Sequence, residues 1–169
     1  SGLAVGTAVG GIDLTLRALI VILFVAAFLI ASHFLPRYID RISPRIERER
    51  LVLAIGAVAA AEGMLEDTVS YVKERKAFGA PIASLQNTRF KLAEVATDIR
   101  VHRSFVEECK TLLMRGELDV ATASMAKVAC SEMQGRVVDT CLQLYGGYGY
   151  MREYGISRAF VDARVQRIY

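Results

Sequence analysis

From Ala18 to Ala31 the chain carries no polar side chain. An unbroken apolar surface of that kind must be covered on all sides, by lipid or by protein. Extended to Leu14–Leu35, a helix here contains 22 residues. At 1.5 Å per residue it is ~33 Å long, enough to cross the hydrocarbon core of a bilayer with some tilt. Arg17 near its start and Ser32-His33 near its end count against that reading. Arg37, Arg41, Arg45, Arg48 and Arg50 crowd the C-terminal flank. Such asymmetry would leave that side in the cytoplasm, with residues 14–35 anchored in the inner membrane. The soluble alternative is a helix buried in the core of an oligomer. A cleaved secretory signal fits less well, because the run is long and arginine follows it where small residues belong.

Ahead of the run, Gly2, Gly6 and Gly10 recur every four residues, with Ala4 and Ala8 in the same rhythm. On a helix they form a smooth ridge for close backbone approach; otherwise they are a flexible apolar leader. The first residue is Ser1, as expected of a processed, trimmed or partial product. Pro36 and Pro44 punctuate the next stretch, with a short amphipathic turn expected over 37–43.

From Ile46 the texture is that of a soluble helical protein. A first helix is expected from Glu47 to about Lys73 or Arg75, rich in Ala, Leu and Glu. Arg75-Lys76 suits the negative end of its dipole, and Gly79 and Pro81 make a turn. A second helix is expected from Ser84 to Arg115, stopped by Gly116. Its positions Phe90, Leu92, Val95, Ile99, Phe105, Val106 and Leu112 have mostly helical spacing. Asp119 is the expected N-cap of a third helix ending near Tyr145, and Gly146, Gly147 and Gly149 break it. A last helix covers Ile156–Ile168. The expected fold is all-α: an antiparallel four-helix-bundle-like domain over 46–169, preceded by a long apolar helix and linker over 1–45.

The net charge of +3 comes with no basic run interleaved with aromatics, so nucleic-acid binding has no support. Cys109, Cys130 and Cys141 form neither a disulfide framework nor a zinc pattern, and read as buried thiols in a reducing compartment. His33 and His102 are isolated, so no metal site is expected. Ser124-Met125-Ala126-Lys127 has the Ser-x-x-Lys spacing of a nucleophile, but it lies inside a regular helix without partner motifs.

Three segments carry more. Arg75-Lys76-Ala77-Phe78-Gly79 ends the first helix; its two cations can hold a phosphate or simply compensate the dipole. Gln143-Leu144-Tyr145-Gly146-Gly147-Tyr148-Gly149-Tyr150 offers paired glycines for close backbone approach and an amide for a polar ring edge. Its simpler reading is a glycine cap followed by a turn. Glu47-Arg48-Glu49-Arg50 is a charged first turn, usually a solvated face.

With Glu49-Arg50-Leu51-Val52-Leu53-Ala54, Leu85-Gln86 and Asp162-Ala163-Arg164 added in this order, the set resembles the C-terminal helical domain of acyl-CoA dehydrogenases, specifically the isovaleryl and long-chain branch. The first 45 residues resemble no part of that family. The resemblance implies a homotetrameric FAD enzyme that oxidises acyl-CoA thioesters to the 2-enoyl form and passes electrons to an electron-transferring flavoprotein. It implies that Arg75 and Gln86 contact FAD from a neighbouring subunit and that Phe78 packs beside it. Gln143, Gly146 and Gly147 would lie along the adenine-diphosphate part, and Arg50 near the acyl-CoA.

The family places its catalytic base in two ways. One is a glutamate just after the last bundle helix, a position that would fall beyond Tyr169. The other is on the first bundle helix immediately before the arginine, which here is Glu49. The reaction needs a carboxylate of raised pKa in an apolar pocket, which Leu51, Val52 and Leu53 would help supply. The family's N-terminal helical domain and middle β-domain have no counterpart in these 169 residues. One bundle cannot exclude water from both flavin faces, so this polypeptide alone is expected to be inactive or very weak. The rival expectation is a membrane-anchored helical interaction or oligomerisation module without flavin chemistry.

Overall fold

The computed structural model describes residues 14–168, with side chains described over 19–38 and 45–168. The glycine ridge at Gly2, Gly6 and Gly10 lies outside the described residues. Four α-helices occur among them: α1 (Leu14–Glu74), α2 (Gln86–Arg115), α3 (Val120–Tyr145) and α4 (Gly155–Ile168). The expected all-α class holds. The expected break at Pro36 and Pro44, with a turn over 37–43, does not: α1 is helical across both. Each proline removes one intrahelical hydrogen bond, a local loss of about 3 kcal/mol that the bonded turns on either side can offset. The chain divides into two compact units, Ser1–Ile42 and Ser43–Tyr169, and the division falls between the two prolines.

In the first unit, Leu19–Tyr38 is long and apolar enough to cross a membrane, and its large apolar side chains are exposed.

In the second unit, Leu51, Ala54, Val58, Ala61, Thr68 and Val72 are buried on α1. Their alternating three- and four-residue steps, completed by half-buried Leu65, make one apolar stripe. Alanines at two of these points, Ala54 and Ala61, allow close helix approach. On α2, Thr88, Val95, Ile99, Val106 and Cys109 follow the same rhythm, and on α3 so do Ala123, Ala126, Cys130, Met133 and Val137. Phe90, expected on the apolar stripe of α2, is exposed, and Thr88 takes the buried register instead. The contacts Arg50–Ser124 and Tyr71–Tyr145 both join residues 74 apart in sequence. A constant offset means that α1 and α3 run parallel, as alternate members of an up-and-down bundle do.

Ion pairs link successive helices. Glu62 on α1 pairs with Arg103 on α2, and Asp98 on α2 with Arg136 on α3 at 2.9 Å. Glu132 on α3 pairs with Arg167 on α4 at 2.8 Å. Part-exposed pairs of this kind contribute about 0–1 kcal/mol each, so they fix register more than they stabilise. The three cysteines are free and buried. Burial pushes the Cys130 thiol up to about 11.

Turn chemistry sets the helix ends. Gly116, at φ 72°, caps α2 in the left-handed region that glycine adopts without strain. Asp119 caps α3: its carboxylate accepts from the Thr122 backbone N–H at 2.8 Å and from the Thr122 hydroxyl at 2.7 Å. These bonds, the backbone one first, hold the Asp119 pKa below its ordinary value. A depressed folded-state pKa gives stability that is present above the unfolded value and is lost as pH falls through the folded one. Asp119→Ala should therefore melt below wild type at neutral pH. The gap between the two melting curves should narrow below about pH 4. A gap independent of pH would show that the carboxylate's charge plays no part.

Between α1 and α2 the sequence reading expects only a turn. The structure has a two-residue hairpin, β1 (Lys76–Ala77) and β2 (Ala80–Pro81), in the register Lys76↔Pro81 and Ala77↔Ala80. Its central residues are Phe78 at φ 55° and Gly79 at φ 81°. Two successive positive φ values are what a two-residue hairpin turn requires. A 3-10 turn, Ile82–Ser84, leads into α2.

Candidate functional site

The candidate residues fall at the two ends of the second unit. Glu49 and Arg50 stand near the beginning of its part of α1. Arg75 stands just past its end, 26 residues beyond Glu49, about 39 Å at 1.5 Å per residue.

At the first end, Glu49 is exposed and pairs with Arg45, Nε to Oε1 at 3.4 Å. The Arg50 guanidinium donates to the Ser124 hydroxyl, which itself donates to the Val120 carbonyl. Ser124, with no nucleophile's environment, thus serves as a tether between α1 and α3. Leu51, expected to wall a pocket around Glu49, is 1% exposed and packs into the bundle core. Helical geometry explains this: successive residues point about 100° apart, so Glu49 and Leu51 cannot share a face. Val52 is exposed and Leu53 half-buried.

The second end gathers more. The Arg75 N–H donates to the Tyr71 carbonyl, and the Arg75 carbonyl accepts from the Ile82 N–H, both at 2.8 Å. The backbone is therefore fixed in both directions where the hairpin leaves α1. Arg75 Cζ lies 4.6 Å from the centre of the Tyr148 ring, within cation–π range. Tyr148 belongs to the 3-10 segment Gly146–Tyr150 that follows α3, so Arg75 meets the paired-glycine segment. Tyr71 reinforces the junction by stacking on Tyr145, centroids 3.9 Å apart, and its hydroxyl donates to the Tyr145 carbonyl at 3.3 Å. Tyr154 stacks on Tyr148 at 5.2 Å and meets Tyr71 and Tyr145 edge-on. Burial raises the pKa of both Tyr71 and Tyr145.

This tyrosine cluster was missed by motif reading. Its signal lies in the sequence: Tyr145, Tyr148 and Tyr154 surround the glycines, and Tyr71 sits one helical turn before Arg75.

The glycines divide by role. Gly146, at φ 58°, ends α3 with its N–H on the Gln143 carbonyl. Gly146 and Gly147 have open space where a Cβ would stand. Gly149 is buried, and a Cβ there would come within 2.7 Å of the Leu142 carbonyl oxygen.

Three further features bear on an anionic ligand. Phe78 is 100% exposed although its backbone is in the left-handed region, uncommon for an aromatic residue. Arg75 and Lys76 are exposed cations beside it. Gln86 is the exposed first residue of α2, whose first turn carries neither a side-chain cap nor an acidic residue. An uncapped helix N-terminus near arginine and lysine, with open glycine backbone on the adjoining junction, suits a diphosphate and the planar groups joined to it. The enclosed apolar surroundings that a flavin ring needs are not built around Glu49 by the described residues.

Residues 39–169 match the family model described as the C-terminal domain of acyl-CoA dehydrogenase. The chain is 52% identical over 124 residues to the mitochondrial long-chain specific acyl-CoA dehydrogenase of Sus scrofa, covering 73% of this chain and 29% of that protein. It is 36% identical over 120 residues to a subunit of the caffeyl-CoA reductase–Etf complex of Acetobacterium woodii, covering 71% and 32%. Among solved structures, an acyl-CoA dehydrogenase from Geobacillus kaustophilus superposes with a TM-score of 0.71 at 46% identity, covering 73% of this chain and 33% of that one. The chain thus spans under a third of the length of the curated relatives it matches. The parallel α1–α3 pair, the hairpin and the glycine junction all lie within the matched residues, and through them the chain belongs to the acyl-CoA dehydrogenase family, as its C-terminal domain.

Proposed function

We propose that this chain contributes the helical part of an FAD-dependent acyl-CoA dehydrogenase, with residues 46–169 as the bundle and 1–45 as a membrane-anchoring leader. The observation that carries the cofactor half is the hairpin. It holds Phe78 fully exposed at φ 55° between two exposed cations and the uncapped start of α2. A backbone outlier that projects an aromatic ring into solvent is sensible where that ring meets a ligand or a second subunit. Arg75, Lys76 and Gln86 would hold the diphosphate, with Phe78 against the cofactor and Gln143, Gly146 and Gly147 along its adenine side. FAD, when bound, supplies the two-electron acceptor for the β-hydrogen of the substrate. Glu49 takes the α-proton of the acyl-CoA, and Arg50, held by Ser124, orients that thioester. An electron-transferring flavoprotein is the proposed electron acceptor; the Acetobacterium woodii relative is itself named as a subunit of a complex with Etf.

The distance between Glu49 and Arg75 supports cofactor sites that are each built from two copies of the chain. About 39 Å of helix exceeds the length of one FAD, so the two ends would serve different cofactors in a homo-oligomer, a tetramer by resemblance. The exposure of Glu49 fits the same reading: an apolar enclosure for the base comes from outside the bundle.

The test is a titration of the chain with FAD. Wild type should bind, and Arg75→Ala should weaken binding about tenfold or more, the scale of a lost charge-assisted hydrogen bond. Equal affinities would remove Arg75 from the site. The 169-residue chain alone should show no turnover of butyryl- or palmitoyl-CoA. Turnover abolished by Glu49→Gln would overturn that expectation while supporting Glu49 as base.

The exposed apolar face of Leu19–Tyr38 favours anchoring at the inner membrane, with the bundle on the cytoplasmic side where the arginines follow. The full chain should then need detergent to remain monodisperse in size-exclusion chromatography. A monodisperse species in plain buffer would exclude the anchor.

A further inference from the structure

We propose that Tyr148 is a positioning residue: its ring face orients the Arg75 guanidinium toward an anionic ligand at the hairpin–glycine junction. The inference rests on the reading of Arg75 as an anion contact given above. An exposed arginine on a flexible stem samples many rotamers, and selecting one on binding weakens the contact. Here the guanidinium carbon lies 4.6 Å from the Tyr148 ring centre. The ring is itself held. Tyr148 stacks on Tyr154, 5.2 Å between centroids and 19° between planes, and Tyr154 meets Tyr71 and Tyr145 edge-on. Tyr71 stacks on Tyr145 and donates its hydroxyl to the Tyr145 carbonyl, at the residue where α3 ends. Arg75 is fixed through its backbone as well, by Tyr71 on one side and Ile82 on the other. The chain of contacts from Tyr71 to Tyr154 to Tyr148 therefore returns to Arg75, and the cation arrives at the site already aimed. Preorganisation of this kind raises affinity without adding a contact to the ligand.

What holds the cation is the electron-rich face of the ring, so changing the electronics at constant shape isolates the effect. Tyr148→Phe keeps the face, whereas ring-trifluorinated phenylalanine at position 148 keeps the shape and removes the attraction. Each 169-residue protein is titrated with FAD by flavin fluorescence, and the Arg75 Nε–H resonance is followed in ¹⁵N-labelled samples. Wild type and Tyr148→Phe should bind alike, with that resonance displaced upfield by the ring. The trifluorinated protein should bind about threefold more weakly, with the resonance moved back toward that of a free arginine. Arg75→Ala should lose about tenfold or more. If trifluorination changes neither affinity nor resonance while Arg75→Ala still weakens binding, Tyr148 has no positioning role and the anion site stands. If wild type does not bind FAD, or Arg75→Ala binds as wild type does, the anion site falls and the positioning role with it.

Discussion

Gly149→Ala is expected to lower the melting temperature by roughly 10 °C. The added Cβ would lie 2.7 Å from the Leu142 carbonyl oxygen and 3.0 Å from Leu142 Cγ. The side-chain atom can move. The carbonyl belongs to the last turns of α3 and cannot move without loosening the helix end. Overpacking against a backbone atom costs about 3 kcal/mol, at the upper end of such substitutions. Gly147→Ala provides the contrast: open space surrounds its Cβ position and its φ is not in the left-handed region. Its melting temperature should stay within about 2 °C of wild type. If Gly147 lies against a cofactor, that variant weakens FAD binding at unchanged stability, whereas Gly149→Ala acts on stability first. Thermal melts monitored at 222 nm separate the two. Equal melting temperatures for both variants would show that the junction relaxes around the extra methyl group.

Leu51→Ala should destabilise the bundle by about 3 kcal/mol, measured as a fall in the urea midpoint. Leu51 is 1% exposed, within the cluster that includes Ala54, Val58 and Met133. Truncation removes transfer free energy and leaves a cavity that alanine-rich neighbours cannot fill. Val52→Ala, two-thirds exposed on the neighbouring face, should change stability by less than about 0.5 kcal/mol. The pair decides whether the apolar triplet after Arg50 is core or pocket wall. A stability loss for Val52 and none for Leu51 would reverse the assignment.

Much of the fold could be read from the sequence because helices announce themselves through periodicity. Asp119 as a cap and Gly116 as a stop act through local chemistry, and both are where the spacing puts them. Structure and local rules part where tertiary context outweighs the latter. Pro36 and Pro44 are breakers by preference, yet α1 is helical through both. Phe90 is apolar but exposed, because the buried register of α2 runs through Thr88 and Val95. The hairpin could not be read from alternation, since each strand has only two residues. The site was partly legible. Arg75 and the glycine segment are separate motifs in the sequence, and the fold brings them together through Tyr148. The tyrosines leave no motif in the sequence because they act only as a packed set. The resemblance assigns Glu49 and Arg75 to one reaction, and only helix length reveals how far apart one chain keeps them.

That length makes α1 a spacer as well as a scaffold. If the base end of one copy and the arginine end of another serve the same cofactor, the number of residues between them is a dimension of the assembled enzyme. Adding four residues between Gly56 and Gly63 would lengthen the helix by about 6 Å and turn its far end by about 40°. Every site residue would survive, yet the two ends would no longer fit one assembly. The same insertion would also break the 74-residue offset between α1 and α3. On that reading the span is fixed twice, by the partner copy it would reach and by the neighbouring helix it must match, so its length would tolerate far less change than its exposed sequence.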